Sequence, residues 1–406
     1  MSLERPLETL TIGATADTNF DKTFPSESHA ASSLPAARAG ATAHQGRLPA
    51  LDGLRAFSIL LVMLAHAGLA RVVPGGLGVT VFFFISGLLI TRLLLHEVDR
   101  SGAIHLREFY IRRFLRLQPA LLLYIAVAMA TLVAMGTEPY WKDIVACLLY
   151  AGNYYQIFHG EFLHPLVTAP DGHQEAIQTP FGIVWSLAVE EHFYLAFPFI
   201  VAALARHRDR LFAVLAGVCA LALVWRAILY GMGVESLTIY MATDTRIDSI
   251  IYGALLAVAM STDRGSAVVS KWLGSRIAFF AGGLLLVATL AIRNPFFRDT
   301  LRYSLQGLAL APIVHGIVFG DKTRLMTSVC SHPIAVYAGK LSYSLYLYHY
   351  GAFMVASWFA VSYGFPEYGV QWLVVSLPLT VLGATASYHL VETKFFKLRR
   401  RFGSVV

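Results

Sequence analysis

From Leu51 onward the chain is a succession of continuously apolar runs of roughly 18–24 residues, the length a helix needs to cross about 30 Å of hydrocarbon. The runs do not alternate apolar with polar residues, so helices rather than barrel strands are the expected spanning form. Composition agrees: 56% of the residues are hydrophobic and 14% charged, against about 45–50% and about 25% in soluble domains. A water-soluble core of 406 residues could not hide that much apolar surface. The predicted fold is all-α and polytopic.

Spans are predicted at about 51–70, 76–96, 117–136, 183–205, 211–231, 244–261, 275–292, 300–319, 334–357 and 370–391. Between them the basic residues fall on alternate sides. One side holds Arg100, Arg107, Arg112, Arg113 and Arg116, then Arg206, Arg208 and Arg210, then Arg264, Lys271 and Arg276. It continues with Lys322 and Arg324, and ends on Lys394, Lys397 and Arg399–Arg401. The other side holds only Arg71, Lys142, Arg293, Arg298 and Arg302. By the positive-inside rule this predicts about ten helices in the cytoplasmic (inner) membrane with both termini cytoplasmic. Residues 143–158 are apolar but short, and counting them as a span would put Arg206–Arg210 on the wrong side. They are expected to be re-entrant or interfacial.

Residues 1–49, rich in Ala, Ser, Thr and Gly and without the apolar core of a signal peptide, are expected to form a disordered cytoplasmic tail. Residues 50–398 form the predicted transmembrane domain, and 399–406 a basic cytoplasmic tail. The net charge of +7 sits in short loops, where topology explains it without a nucleic-acid partner. Cys147, Cys219 and Cys330 are far apart in or beside apolar segments, with neither metal nor disulfide spacing. No internal repeat is visible, in contrast to many transporters.

A charge at the bilayer centre costs about 2.5–3.5 kcal/mol on insertion scales, which makes intramembrane ionisable residues functional candidates. The first span carries Asp52, Arg55 and His66. Eleven residues are about three helical turns, so Arg55 and His66 share a face, roughly 16 Å apart along the axis. Two readings stand for each: snorkelling or anion binding for Arg55, a hydrogen-bonded core histidine or a base for His66. The fourth span opens Trp185-Ser-Leu-Ala-Val-Glu190-Glu191-His-Phe-Tyr194, with Glu190 at a depth close to that of His66. Glu190 and Glu191, about 100° apart, cannot both face one cavity.

The sixth span begins Asp244-Thr-Arg246-Ile-Asp248, either an interhelical tie or part of a polar site. The ninth reads Ser342-Tyr343-Ser-Leu-Tyr346-Leu-Tyr348-His349, a packing stripe that also brings His349 to the outer half. Arg112-Arg113-Phe-Leu-Arg116 before the third span serves topology, or binds a ligand with several phosphates. Gly75-Gly76-Leu-Gly78 lacks the strand and lysine of a nucleotide loop; with Ser86-Gly87 it suits close helix packing or a narrow ligand path. His159, His164 and His173 lie in a polar loop without metal spacing.

Together these motifs resemble the membrane-bound acyltransferase family 3, O-acyltransferases of sugars, envelope polymers and some metabolites. The resemblance covers about residues 47–398. It rests on Arg47-Leu-Pro-Ala-Leu-Asp52-Gly-Leu-Arg55-Ala with His66 at the family's arginine–ten residues–histidine spacing. It continues through Gly78–Gly87, Arg112–Pro119, Trp185–Tyr194, Arg246–Ser249 and Ser342–His349, in the family's order. Thr80 stands where the family often has an acidic residue, and Gln118 where a branched apolar residue is commoner. Some relatives carry an added extracytoplasmic hydrolase-type domain; none follows the tenth predicted span, so any such partner is expected as a separate protein.

The resemblance implies an acyl-CoA co-substrate, acetyl-CoA by default, and no metal. It implies an envelope or exported carbohydrate as acceptor, or a small glycosylated or macrolide metabolite. Arg55, Arg112, Arg113 and Arg116 would hold the coenzyme A phosphates. His66 would be general base, with Glu190 orienting it or stabilising its imidazolium, and Arg246 stabilising the oxyanion. Ser86, Trp185, Tyr194, Asp248, Tyr343 and His349 would line the substrate cavity. Direct attack and an acyl-enzyme on tyrosine, serine or His66 both stay open. A proton-coupled transporter or flippase would use the same buried charges but does not call for the ordered motifs or the one-sided arginines.

Overall fold

The computed structural model describes residues 48–137, 141–160, 164–320 and 322–403. The tail expected over 1–49 lies outside them as far as residue 47, and Pro49 already opens the first helix. The helices run α1 (Pro49–Leu64), α2 (Gly75–Ser101), α3 (Leu106–Ala134), α4 (Trp141–Leu148), α5 (Gly152–His159), α6 (Val184–Leu204) and α7 (Arg208–Gly231). They continue with α8 (Ser236–Met241), α9 (Thr243–Ala259), α10 (Asp263–Leu273), α11 (Arg276–Ala291), α12 (Pro295–Asp299) and α13 (Leu301–Phe319). The last are α14 (Arg324–Cys330), α15 (Pro333–Lys340), α16 (Ser342–Tyr363), α17 (Val370–Ser387) and α18 (Thr393–Arg399). Single π-helical turns extend α1 over Ala65–Leu69 and join α17 to α18 over Tyr388–Glu392. One antiparallel hairpin, β1 (Leu166–Thr168) and β2 (Gln174–Ala176), amends the all-α expectation; it pairs Leu166 with Ala176 and Thr168 with Gln174.

Among the described residues six helices are long and apolar enough to cross a membrane, and up to eight if each of two bent helix pairs is one span. The expected ten is not reached on length and composition. Two of the ten predicted segments, α9 and α16, are not among the candidates; α9 has 17 residues, and both helices are largely enclosed by protein. Twelve of the 17 residues of α9 are buried, among them Arg246 and Asp248. Of the 22 in α16, fourteen are buried, including three serines, two tyrosines and His349. A helix enclosed by protein meets little lipid, so its side chains answer to polar neighbours rather than to hydrocarbon. At the periphery the reverse holds. Leu221 of α7, Leu284 of α11 and Leu382 of α17 are each about two-thirds exposed, at 67%, 72% and 66%. Leaving such side chains in water forgoes about 1.5–3 kcal/mol each, so these faces suit lipid.

Boundaries shift in ways that matter for the site. The third span begins at Leu106, not near 117, so Arg112, Arg113 and Arg116 stand on the helix itself. The ninth is broken at Leu341 into α15 and α16. Residues 143–158 fall on α4 and α5, eight residues each and about 12 Å long, too short to span.

α2 and α9 make the most extensive helix pair, and glycine permits it. A Cβ on Gly87 would lie 1.8 Å from the Ile250 carbonyl oxygen, and one on Gly253 would lie 1.9 Å from that of Phe84. The two backbones therefore touch on both sides, as small residues allow between membrane helices.

Candidate active site

Two cavities meet inside the bundle. The first gathers Arg55 of α1, Ser86 of α2, Arg113 and Arg116 of α3, Glu190 and Tyr194 of α6, and Tyr343 of α16. Its polar groups are held in place. Glu190 accepts from the Tyr194 hydroxyl, one helical turn on, at 2.6 Å, and from the Ser86 hydroxyl across the α2–α6 contact. The Arg113 guanidinium lies 3.9 Å from the centre of the Tyr194 ring, and the Tyr343 hydroxyl donates to the Leu117 carbonyl at 3.0 Å. Arg55 also pairs with Asp52 at 3.9 Å, and three arginines against these two carboxylates still leave the cavity positive, the chemistry that a phosphate-bearing ligand needs.

Arg112 does not join them. On α3 the three arginines span an arc of about 100°, with Arg116 in its middle and Arg112 at one edge. There Arg112 pairs with Glu97 at 3.1 Å and Glu108 at 3.7 Å, and donates to the Phe402 carbonyl at 2.9 Å. It ties α2, α3 and the C-terminal turn together.

The second cavity is lined by His66, Trp185, Tyr240, Arg298, Arg302 and Tyr303, among others. Val79 and Tyr346 line both cavities and so form their common wall. The Tyr346 hydroxyl is fixed by the Ser186 hydroxyl at 2.6 Å and the Ile183 carbonyl at 2.8 Å. His66 sits in the π-helical turn after α1, a distortion common at functional sites. Inside the turn the backbone kinks at Gly68, φ +89°, a conformation that glycine adopts without strain.

His66 Nδ1 lies 3.0 Å from His349 Nε2, with the two ring planes 9° from parallel. His349 is fully buried, and its Nδ1 lies 3.1 Å from the Leu345 carbonyl oxygen. A carbonyl only accepts, so His349 Nδ1 carries the proton and, in the neutral ring, Nε2 is an acceptor. His66 Nδ1 must then donate, which leaves the lone pair of His66 on Nε2. The arrangement fixes the tautomer as a carboxylate would, but without placing a charge there.

Other expected site residues are placed differently. Glu190 lines the arginine cavity, not that of His66, because depth along α6 does not say which neighbour a helix face meets. Asp248 lines neither cavity. It is fully buried and paired at 2.7 Å with Arg226 of α7, a residue the sequence reading passed over. Arg226 also donates to Ser304 at 2.6 Å and to the Thr245 and Thr300 carbonyls. An arginine inside the apolar run 211–231 was the available signal.

Arg246 lies one layer behind the His66 cavity, fully buried against Tyr303 at 4.1 Å, Tyr240 at 5.1 Å and Trp185 at 5.8 Å. It donates to the Thr80 hydroxyl and the Tyr240 carbonyl, each at 3.2 Å, and has no ion pair among the described residues. Its Nε finds no partner. Among the described residues no group of three or more His, Cys, Asp or Glu could hold a metal ion.

Residues 48–391 match the profile of a family described as an acyltransferase domain. A Staphylococcus aureus (strain COL) protein, provisionally named an O-acetyltransferase, is 30% identical over 366 residues, which cover 86% of this chain and 57% of that protein. The peptidoglycan O-acetyltransferase OatA of Listeria monocytogenes is 29% identical over 320 residues, covering 75% of this chain and 49% of the relative. The O-acetyltransferase OatA of Staphylococcus aureus is 29% identical over 361 residues, covering 86% and 57%. The chain thus spans about half the length of these curated relatives. No solved structure matches it. On the extent of the profile match, and on the ordered motifs that line the two cavities, the chain belongs to the membrane-bound acyltransferase family 3.

Proposed function

We propose that this protein is a membrane O-acyltransferase that moves an acetyl group from cytoplasmic acetyl-CoA to a hydroxyl of an envelope or exported carbohydrate. The observation that carries the reading is the pair of cavities with a shared wall, one rich in arginine and the other lined by a histidine of defined tautomer. Residues 50–398 are the catalytic domain, with both termini cytoplasmic, and α9 and α16 complete a set of about ten membrane helices around the site. Arg55, Arg113 and Arg116 then face the cytoplasm and hold the coenzyme A phosphates. The pantetheine arm rises past Glu190, which acts on the donor side, and presents the thioester carbonyl at the wall of Val79 and Tyr346.

From the other cavity the acceptor hydroxyl gives its proton to His66 Nε2 while its oxygen bonds to the thioester carbon. The tetrahedral intermediate collapses as the carbon–sulfur bond breaks, and the thiolate takes the proton back from His66. His349 accepts from His66 Nδ1 throughout and keeps Nε2 directed at the reaction. Arg246, one aromatic layer away, favours the oxyanion through its field.

The test is transfer of radiolabelled acetyl from acetyl-CoA to glycan acceptors by the purified full chain in lipid nanodiscs. Transfer that falls about 10²- to 10⁴-fold in a folded His66→Ala variant is expected. Full activity in that variant removes the base, and solute movement in vesicles without any acetylated product removes the enzyme reading.

A further inference from the structure

The His66 cavity carries more positive charge than its own carboxylate balances. Its titratable lining is His66, Arg298, Asp299 and Arg302, and the Asp299 carboxylate accepts from the Ser236 hydroxyl at 2.6 Å. Three guanidinium groups crowd the ring of Tyr303: Arg246 at 4.1 Å, Arg302 at 5.0 Å and Arg226 at 5.5 Å. Arg226 is neutralised by Asp248. Arg246 and Arg302 have no ion pair among the described residues, and neither has Arg298. Arg302 is half-buried, its guanidinium donating to the Tyr303 hydroxyl at 3.0 Å. Two like charges on one ring beside a cavity repel each other and favour an anion between them. Topology sharpens the point. Arg71, Lys142, Arg293, Arg298 and Arg302 are the cations that the orientation leaves outside, and two of these five line this cavity. Cations are rare on that face, and these two stand where an acceptor would enter.

We propose that the acceptor is an anionic glycan, a sugar bearing a carboxylate or a phosphate, whose charge is held by Arg298 and Arg302 while its hydroxyl reaches His66. Arg246 adds attraction through the aromatic wall without touching the ligand. The proposal rests on the acceptor-side reading of the His66 cavity, yet its test does not use turnover.

The full chain is reconstituted in zwitterionic nanodiscs and titrated calorimetrically with three probes: a neutral disaccharide, the same disaccharide as a uronic acid, and its 1-phosphate. An anionic probe binding about tenfold tighter than the neutral one is expected. The preference disappears in Arg302→Gln and survives in Arg293→Gln, an outer arginine that lines neither cavity. Unchanged affinity of Arg302→Gln for the neutral disaccharide shows that the variant is folded, and the tighter of the two anions identifies the source of the charge. Equal binding of neutral and anionic probes overturns the proposal, as does a preference that survives in the Arg298→Gln/Arg302→Gln double variant. Arginines that only meet lipid headgroups give that same negative result. An intact preference without acetyl transfer would remove the catalytic reading and leave this one; transfer without preference would do the opposite.

Discussion

His66 and His349 meet ring nitrogen to ring nitrogen at 3.0 Å, and the Leu345 carbonyl behind His349 decides which of them donates. The proposed base therefore depends on a side chain on another helix. His349→Phe keeps an aromatic ring but removes the acceptor, which frees His66 to adopt the wrong tautomer. The expected result is a kcat lower by about 10²-fold with the KM for acetyl-CoA unchanged. His349→Gln, which retains an acceptor, should keep more activity. Radiolabelled transfer measures both, and a His349→Phe enzyme at the wild-type rate would sink the tautomer argument.

Neighbouring arginines on α3 should separate cleanly. Arg113→Gln and Arg116→Gln remove charge from the donor cavity and should raise the KM for acetyl-CoA about tenfold or more. They should leave the KM for acetylpantetheine, which lacks the nucleotide phosphates, unchanged. Arg112→Gln should spare both constants and lower thermal stability, because its partners are Glu97, Glu108 and the Phe402 carbonyl.

Tyr346 holds the wall between the cavities through Ser186 and Ile183. Tyr346→Phe deletes both hydrogen bonds with almost no change of shape. A looser wall should admit water to the thioester, and coenzyme A release without acceptor should rise by about 2- to 10-fold, the range that one or two hydrogen bonds can supply. A thiol-release assay reads this directly; unchanged release would mean that the wall is closed by packing alone.

The Arg226–Asp248 pair, with both side chains at 0% exposure, is a structural tie. Arg226→Leu alone strands the Asp248 carboxylate and should destabilise the fold by about 3–5 kcal/mol. Arg226→Leu with Asp248→Leu removes both charges and should recover much of that loss. Thermal unfolding of the two variants gives the comparison, and equal losses would contradict it.

Gly87 and Gly253 let α2 and α9 touch backbone to backbone. Gly87→Ala puts a methyl where the Ile250 carbonyl stands and should cost about 1–3 kcal/mol as the helices part. Because Ser86 is the next residue, activity should fall further than stability does. The ratio of transfer rate to folded fraction tests this.

Much of the molecule was legible before any packing was known. Apolar runs located the peripheral helices, whose faces answer only to lipid. The cost of burying charge singled out Arg55, His66, Glu190 and Arg246, and all four stand in or beside the two cavities. Legibility failed where a side chain had several partners within reach. Arg112 and Arg113 are consecutive and chemically identical, yet one is captured by Glu97 while the other lines the arginine cavity. His349 was expected in the substrate cavity, but its contact with His66, 283 positions away, could not be read from the helix pattern.

By itself, then, the sequence determined that the chain folds as apolar helices, which of them carry ionisable groups, and that its motifs are those of an acyltransferase. Helix periodicity and the price of desolvation are local, and both can be read from one strand of text. Only the tertiary structure decided that Glu190 belongs with the arginines, that Asp248 serves Arg226, and that His66 takes its tautomer from His349. Periodicity sets which residues share a face of one helix but leaves open which other helix that face will meet. The two cavities, with Val79 and Tyr346 between them, are made of those meetings.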